Sequence, residues 1–400
     1  MNHLKHLFFP VVILFLSCQP PLPDDAAPVL TDWFVNGNKA AKKELSQYRL
    51  DPEKLTAFGD SLRAGTIQRG KRFCVLRDAD GTEHTLGFST PARIIKDSLY
   101  PLLVYLHGGI GTNKKDKGKF AYDMFTFLTD TIDMFIASPS GNKTALWWNE
   151  RGINRILQSL RYMVLNFPID PDRIILAGVS DGAAGCYVAA NTFSSPFAGF
   201  IPISGFGGIL PQLGIMLNPT NLVQRPIYNI NGAKDTHYTG ELVQKFLDWM
   251  AENDVIIKSK IYPGQGHGFD YKLQEKTTLV ELITTWRKPA SKNIYWTLVP
   301  DIPNLADNLL SCKVAGKRDN LHIATRWAGD TLVVNSSGIT SFSMITDRPV
   351  SKGLYYRTGN GKAQPLTFLK QSTALQLDLM KHTCIPGYIE KNVITITLHR

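Results

Sequence analysis

From residue 100 to 106 the chain reads Tyr-Pro-Leu-Leu-Val-Tyr-Leu, an apolar run without the alternation of a half-exposed strand. Such a run predicts a strand covered on both faces, the usual state in a mostly parallel sheet. Similar runs fall at 134–137, 173–178, 200–203, 226–230 and 256–262. Between them, at 154–166, 241–252 and 274–286, lie stretches that predict helices. Strands and helices alternating at this spacing predict a doubly wound α/β sheet. Upstream, 72–76 and 84–88 flank Asp78-Ala79-Asp80-Gly81, the pattern of a β-hairpin. Residues 31–64 are polar and helical, with Asp51-Pro52-Glu53 opening a turn and Leu55, Phe58 and Leu62 at helical spacing.

The character changes around Arg287-Lys288-Pro289-Ala290-Ser291-Lys292. Beyond it, 331–334, 341–344, 354–357 and 393–398 are strand-like, and Gly359-Asn360-Gly361 is a turn signal. The pattern predicts an export signal at 1–18, a tether at 19–30 and an α/β domain at 31–290 with a helical and hairpin extension at its start. A small β-sandwich-like domain follows at 291–400. No internal repeat is evident.

Composition narrows this picture little. Of 400 residues, 44% are hydrophobic and 20% charged, as in ordinary globular proteins. The net charge of +10 is spread thinly, with no basic block and no nucleic-acid motif, so no nucleic-acid partner is expected. The N-terminus carries Lys5, an apolar stretch at 7–16 and then Ser17-Cys18, which predicts export. That stretch is too short to span a bilayer. Cys18 stands where the lipobox of bacterial lipoproteins has its cysteine, and the resemblance implies a lipid anchor on Cys18 and a place in the cell envelope, facing the periplasm or the outside. A plain cleaved signal or an N-terminal membrane anchor remains the alternative. The proline-rich stretch 19–25 suits a tether. Cys74, Cys186, Cys312 and Cys384 form no metal-ligand pattern, so no metal is expected. In an exported chain Cys312 and Cys384 could pair as a staple of the β domain, and Cys186 is expected as a small buried hydrophobe.

The chemistry centres on Gly178-Val179-Ser180-Asp181-Gly182, which follows an apolar strand and precedes the small-residue stretch 183–190. A serine at a sharp strand-to-helix turn, with small neighbours two residues away, is a nucleophile elbow. Serine is a weak nucleophile until a base takes its proton and a third group fixes the base. Asp235 follows the strand 226–230 and His267 the strand 256–262, so all three reach one sheet edge, in the order Ser180, Asp235, His267. Among other nearby carboxylates, Asp181 is expected to point away from Ser180 and Asp254 to end a helix. His237 is expected as a solvated loop residue. His107-Gly108-Gly109-Ile110-Gly111 follows the strand ending at Leu106 and suits an oxyanion loop, with donors at the N–H of Asp181 and of Gly109 or Ile110. Trp147, Trp148 and His107 are candidate substrate contacts, although the tryptophans would equally pack the following helix. Lys114, Lys115, Lys117 and Lys119 read as a solvated loop, with attraction of an acidic substrate as the alternative.

Residues 100–109 (Tyr-Pro-Leu-Leu-Val-Tyr-Leu-His-Gly-Gly), 167–174 (Phe-Pro-Ile-Asp-Pro-Asp-Arg-Ile), the elbow, Asp235 and His267 together resemble the α/β-hydrolase superfamily. Within it the resemblance is to secreted esterases grouped with feruloyl esterases, polyhydroxybutyrate depolymerases and carboxylesterases. It covers about residues 72–286. Asp181 stands where Met, Ala, Gln or Tyr is usual, and Ala183 where Gly is. The resemblance implies hydrolysis of carboxylic esters through an acyl-enzyme without a cofactor, on a substrate that includes carbohydrate-linked and aromatic acyl esters among the options. The rivals are a prolyl oligopeptidase-like peptidase acting on short peptides, and a non-catalytic surface glycan binder on the same scaffold.

Overall fold

The computed structural model describes residues 19–64, 69–255, 257–290, 293–315, 321–348, 353–369, 372–383 and 392–398. Cys18 and Cys384, and with them the proposed lipid anchor and staple, lie outside the described residues.

Eight strands form the main sheet: β1 (Lys71–Arg77), β2 (Glu83–Ser89), β3 (Tyr100–Leu106), β4 (Phe135–Pro139), β5 (Ile169–Val179), β6 (Gly199–Ile203), β7 (Tyr228–Gly232) and β8 (Lys258–Tyr262). Their order across the sheet is β1-β2-β4-β3-β5-β6-β7-β8. The hairpin β1–β2 is antiparallel and joins the sheet through β4, and from β4 onward every pairing is parallel. β3, β4 and β6 are buried at every position, as expected of strands covered on both faces. β8 is half-exposed because it ends the sheet.

The coverage comes from helices on both faces of the sheet. Helix Glu150–Asn166 starts at Asn149, whose side chain accepts the Gly152 N–H at 2.9 Å, and packs Ile153, Ile156, Leu157, Leu160 and Val164 into the larger core cluster. Helix Asp181–Thr192 is buried almost all round, which small residues alone allow. The second core cluster, on the opposite face, joins Leu103, Tyr105, Ile175 and Ile201 to Phe125, Leu279 and Ile283. The three predicted helices appear as Glu150–Asn166, Gly240–Glu252 and Lys272–Thr285.

Two further sheets follow. One contains Tyr295–Thr297, His322–Ala328, Thr331–Ser337, Tyr355–Thr358 and Gln364–Pro365, and the other Leu309–Val314, Ile339–Thr346, Asn392–Thr397 and Thr367–Phe368. Their apolar faces meet in one cluster, Trp296, Ile323, Leu332 and Val334 against Leu309, Phe342, Met344 and Ile394, so this is a β-sandwich. The fold class is therefore an α/β sheet with a C-terminal β-rich unit. The sandwich also carries a helix, Thr373–Thr383, that its sequence did not predict.

One expectation fails. The segment 19–30 is no extended tether: Arg49 N–H donates to the Pro20 carbonyl at 2.8 Å, Gln19 Nε2 donates to the Ser46 carbonyl at 3.0 Å, and Leu22 and Leu30 are buried in the main core. Proline density suggests a spacer, but two leucines at the right depth hold the segment down.

The sandwich is fastened to the α/β domain by Arg225. Its side chain is buried, its Nη2 reaches both carboxylate oxygens of Asp307 at 2.7 and 2.8 Å, and its Nε donates to the Phe197 carbonyl at 2.6 Å. Breaking a buried pair from one side leaves the other charge without compensation. Arg225→Met is accordingly expected to destabilise the protein by about 3–5 kcal/mol, and thermal unfolding followed by circular dichroism would show an unchanged midpoint if the contact were incidental.

Candidate active site

β5 runs into helix Asp181–Thr192 with a single residue, Ser180, at the turn, held at φ 58° and ψ −119°. A non-glycine residue in that region is strained, and the surroundings must enforce it. Ser180 N–H is tied to the Ile203 carbonyl at 3.0 Å. A Cβ at Gly178 would collide with the Gly182 backbone, and one at Gly182 with the Leu106 carbonyl at the end of β3. The elbow is therefore wedged directly against the central strand, and only glycine fits at both flanks.

Asp235 lies in the loop after β7 and is buried. Its Oδ1 accepts the N–H groups of His237 at 2.8 Å and Tyr238 at 2.9 Å, leaving Oδ2 for His267 Nδ1 at 2.8 Å. His267, in the loop after β8, places Nε2 3.0 Å from Ser180 Oγ. The two loops are laced together by Lys234 N–H to the Gln265 carbonyl at 2.8 Å, and the His267 loop is tied to β6 by Gly268 N–H to Ser204 Oγ at 3.0 Å. Ionised Asp235 only accepts, so Nδ1 carries the imidazole proton and Nε2 is left as the acceptor for the serine hydroxyl. The structure thus brings Ser180, His267 and Asp235 into one hydrogen-bonded chain.

The other carboxylates sit elsewhere. Asp254 lies just beyond helix Gly240–Glu252, at the end away from the Asp235 loop. Asp181 Oδ2 accepts the Ile110 N–H at 2.9 Å. That contact corrects the expected oxyanion donors: the Ile110 N–H is already occupied and cannot serve. Asp181 opens its helix, so its own N–H has no intrahelical acceptor. The glycine loop passes close by, since a Cβ at Gly108 would lie 3.0 Å from Ser180 Cβ and 3.0 Å from the Val179 carbonyl. The Gly109 carbonyl is held by Lys117 Nζ, so this lysine is not part of a free cationic loop. Lys119 lies over the rings of Phe73 and Phe120.

Two proposed substrate contacts are corrected as well. Trp147 is fully buried, with Nε1 donating to the His107 carbonyl at 3.0 Å. His107 is buried beneath the same loop: Nδ1 donates to the Gly108 carbonyl at 2.9 Å and Nε2 accepts the Gly141 N–H at 3.1 Å. Burial pushes its pKa down to about 4, so the ring is neutral and both nitrogens are used. His107 and Trp147, packed edge to face at 5.3 Å, form a strut under the glycine loop. Trp148 is half-buried against the main core.

Sequence reasoning missed Ser204, Phe206 and Tyr238. The Tyr238 ring lies 5.8 Å from His267 and 5.9 Å from Phe206, and His237 packs its ring edge-on to His267 at 4.7 Å. Position after a strand end could have flagged Ser204, which directly follows β6. Burial keeps the thiols of Cys74 and Cys312 protonated, with pKa values raised to about 11 and about 12, and pushes that of Cys186 well above the usual thiol range. Among the described residues there is no cluster of side chains suited to a metal ion.

A mixed sheet of this order, with an antiparallel second strand and a strained serine between β5 and the following helix, is the α/β-hydrolase fold. Residues 141–293 match the model of the dienelactone hydrolase family. Among solved structures, the chain is similar to a thermostable esterase at 20% identity and a TM-score of 0.44, covering 54% of this chain and 63% of that one. It is also similar to an S-formylglutathione hydrolase from Staphylococcus aureus (17%, TM-score 0.41, 54% and 97% covered) and to an acylaminoacyl peptidase bound to a chloromethyl ketone (18%, TM-score 0.44, 55% and 42% covered). No curated protein matches the chain.

Proposed function

We propose that the protein is a serine hydrolase of carboxylic esters, with Ser180 as nucleophile, His267 as general base and Asp235 orienting it. The observation that carries this is the continuous chain from Ser180 Oγ through His267 to Asp235, at 3.0 and 2.8 Å. Ser180 Oγ attacks the ester carbonyl carbon as His267 Nε2 takes its proton, and the carbonyl π electrons move onto oxygen. The N–H groups of Asp181 and Gly109 serve as donors to that oxyanion, the Ile110 N–H being taken by Asp181. Collapse expels the alkoxide, which takes the proton from His267, and leaves an acyl-Ser180. Water, deprotonated by His267, then releases the acid and restores the serine. The dienelactone hydrolase match favours an ester over an amide, since a lactone is a cyclic ester.

A fluorophosphonate probe should label Ser180, and a short activated ester should turn over much faster than the matching amide. Equal rates on ester and peptide amide would move the assignment to a peptidase. The N-terminal pattern supports an exported protein held to a membrane through lipidated Cys18. Metabolic labelling with a fatty-acid analogue, lost in Cys18→Ala, tests that placement.

The Asp181 carboxylate gives a further test. By holding the Ile110 N–H it fixes the glycine loop, whose Gly108 lies against Ser180. Asp181→Ala is expected to lower kcat on the order of 10²-fold with little change in KM, comparable to the loss of one oxyanion donor. Asp181→Asn keeps an acceptor at the same place and should restore most of the rate. Equal losses in both variants would show that loop position is not what Asp181 supplies.

A further inference from the structure

A cleft of about 820 Å³ lies between the turn Gly207–Leu213, with the residues after it, and the outer face of helix Gly240–Glu252. We propose that it binds an extended hydrocarbon part of the ester substrate, an inference that rests on the esterase reading and specifies the class of ester. Four observations lead there.

The walls are apolar: Phe206, Met216, Leu217, Leu242, Phe246 and Trp249 face the cleft. Three of these remain open to solvent, Met216 at 57%, Leu242 at 46% and Trp249 at 40% exposure. A concave apolar surface left wet gains by taking up an apolar ligand.

The charge on the wall, Lys245, is neutralised by Glu241 at 2.6 Å. A neutral group is therefore the better guest.

The cleft adjoins the catalytic centre. Phe206 belongs to its wall and packs against Tyr238, which packs against His267.

Its direction also fits. The helix begins at Gly240, five residues after Asp235, so the Leu242 end is nearest the catalytic rim. From Leu242 to Trp249 the helix advances about 10 Å at its usual rise, enough to lay a flexible chain along it. A tail bound at the centre can thus leave past Phe206 and run between Met216 and Trp249.

The experiment compares p-nitrophenyl butanoate with the octanoate. If the chain is half-covered in the cleft, each methylene raises kcat/KM about twofold, on the order of tenfold for the pair. The gain should appear mainly in KM, because the tail is bound equally in ground and transition states. Met216→Asp and Leu242→Asp should abolish the preference for octanoate and leave butanoate hydrolysis unchanged. Both sites are exposed, and circular dichroism would confirm the fold. Butanoate turnover without the rise, or a rise untouched by both variants, overturns the cleft assignment alone. Absence of butanoate turnover overturns the esterase reading and the cleft with it. A flat profile accompanied by binding to phosphatidylcholine vesicles that Met216→Asp abolishes would assign the surface to a membrane and overturn the proposal.

Discussion

Ser180→Ala is expected to lower kcat for ester hydrolysis on the order of 10⁴- to 10⁶-fold, with KM and the thermal transition nearly unchanged. The substitution removes the one atom that can form the acyl bond. It leaves His267 anchored by Asp235 and leaves the loop in place above the elbow. Alanine at φ 58° is strained much as serine is, so the folded state changes little beyond one lost hydrogen bond, worth about 1 kcal/mol. Stopped assays with a chromogenic ester and mass spectrometry after fluorophosphonate treatment read the two consequences. Activity within tenfold of the parent, or label on another residue, would remove Ser180 from the mechanism.

Asp235→Asn is expected to lower kcat about 10⁴-fold, as a change in proton placement and not in shape. Asp235 is buried, and both its oxygens accept: one from two backbone N–H groups, one from His267. An amide must turn its oxygen toward the two backbone donors, which presents its NH₂ to His267 Nδ1. The ring then accepts at Nδ1 and carries its proton at Nε2, facing Ser180 with a donor where an acceptor is required. Crystallography should find the ring in the same place, and kinetics should find the rate gone. If the variant stayed active, another acid would have to serve, and the carboxylate of Asp181, next to Ser180, is already engaged by Ile110.

The main sheet was legible in the chain because its strands are covered on both faces, which leaves uninterrupted apolar runs such as β3. The three candidate catalytic residues were legible for a related reason: each lies in the turn or loop after a strand, so parallel pairing brings them to one edge. The sandwich was read less fully. His322–Ala328 buries Thr325, whose hydroxyl accepts the Ile294 N–H at 2.8 Å, so its inward face is not uniformly apolar. Leu309–Val314 is largely exposed and shows no clear alternation. The misread donor and substrate residues share another cause. Residue type placed His107, Trp147 and Ile110 in the right loops, but which side of a loop faces the substrate depends on contacts with distant residues. Asp181 capturing the Ile110 N–H, or Gly141 donating to His107, are such contacts.

Helix Thr373–Thr383 lies against the first described segment of the chain: Lys42 pairs with Asp378 at 2.5 Å, Lys42 and Lys381 both lie over the Trp33 ring, and Thr373 Oγ1 donates to the Tyr48 carbonyl at 2.6 Å. Grafting the sandwich onto another enzyme would thus strip it of these contacts unless residues 19–50 travelled too. In evolutionary or engineering terms the transferable piece is discontinuous, a late segment and an early one inherited together.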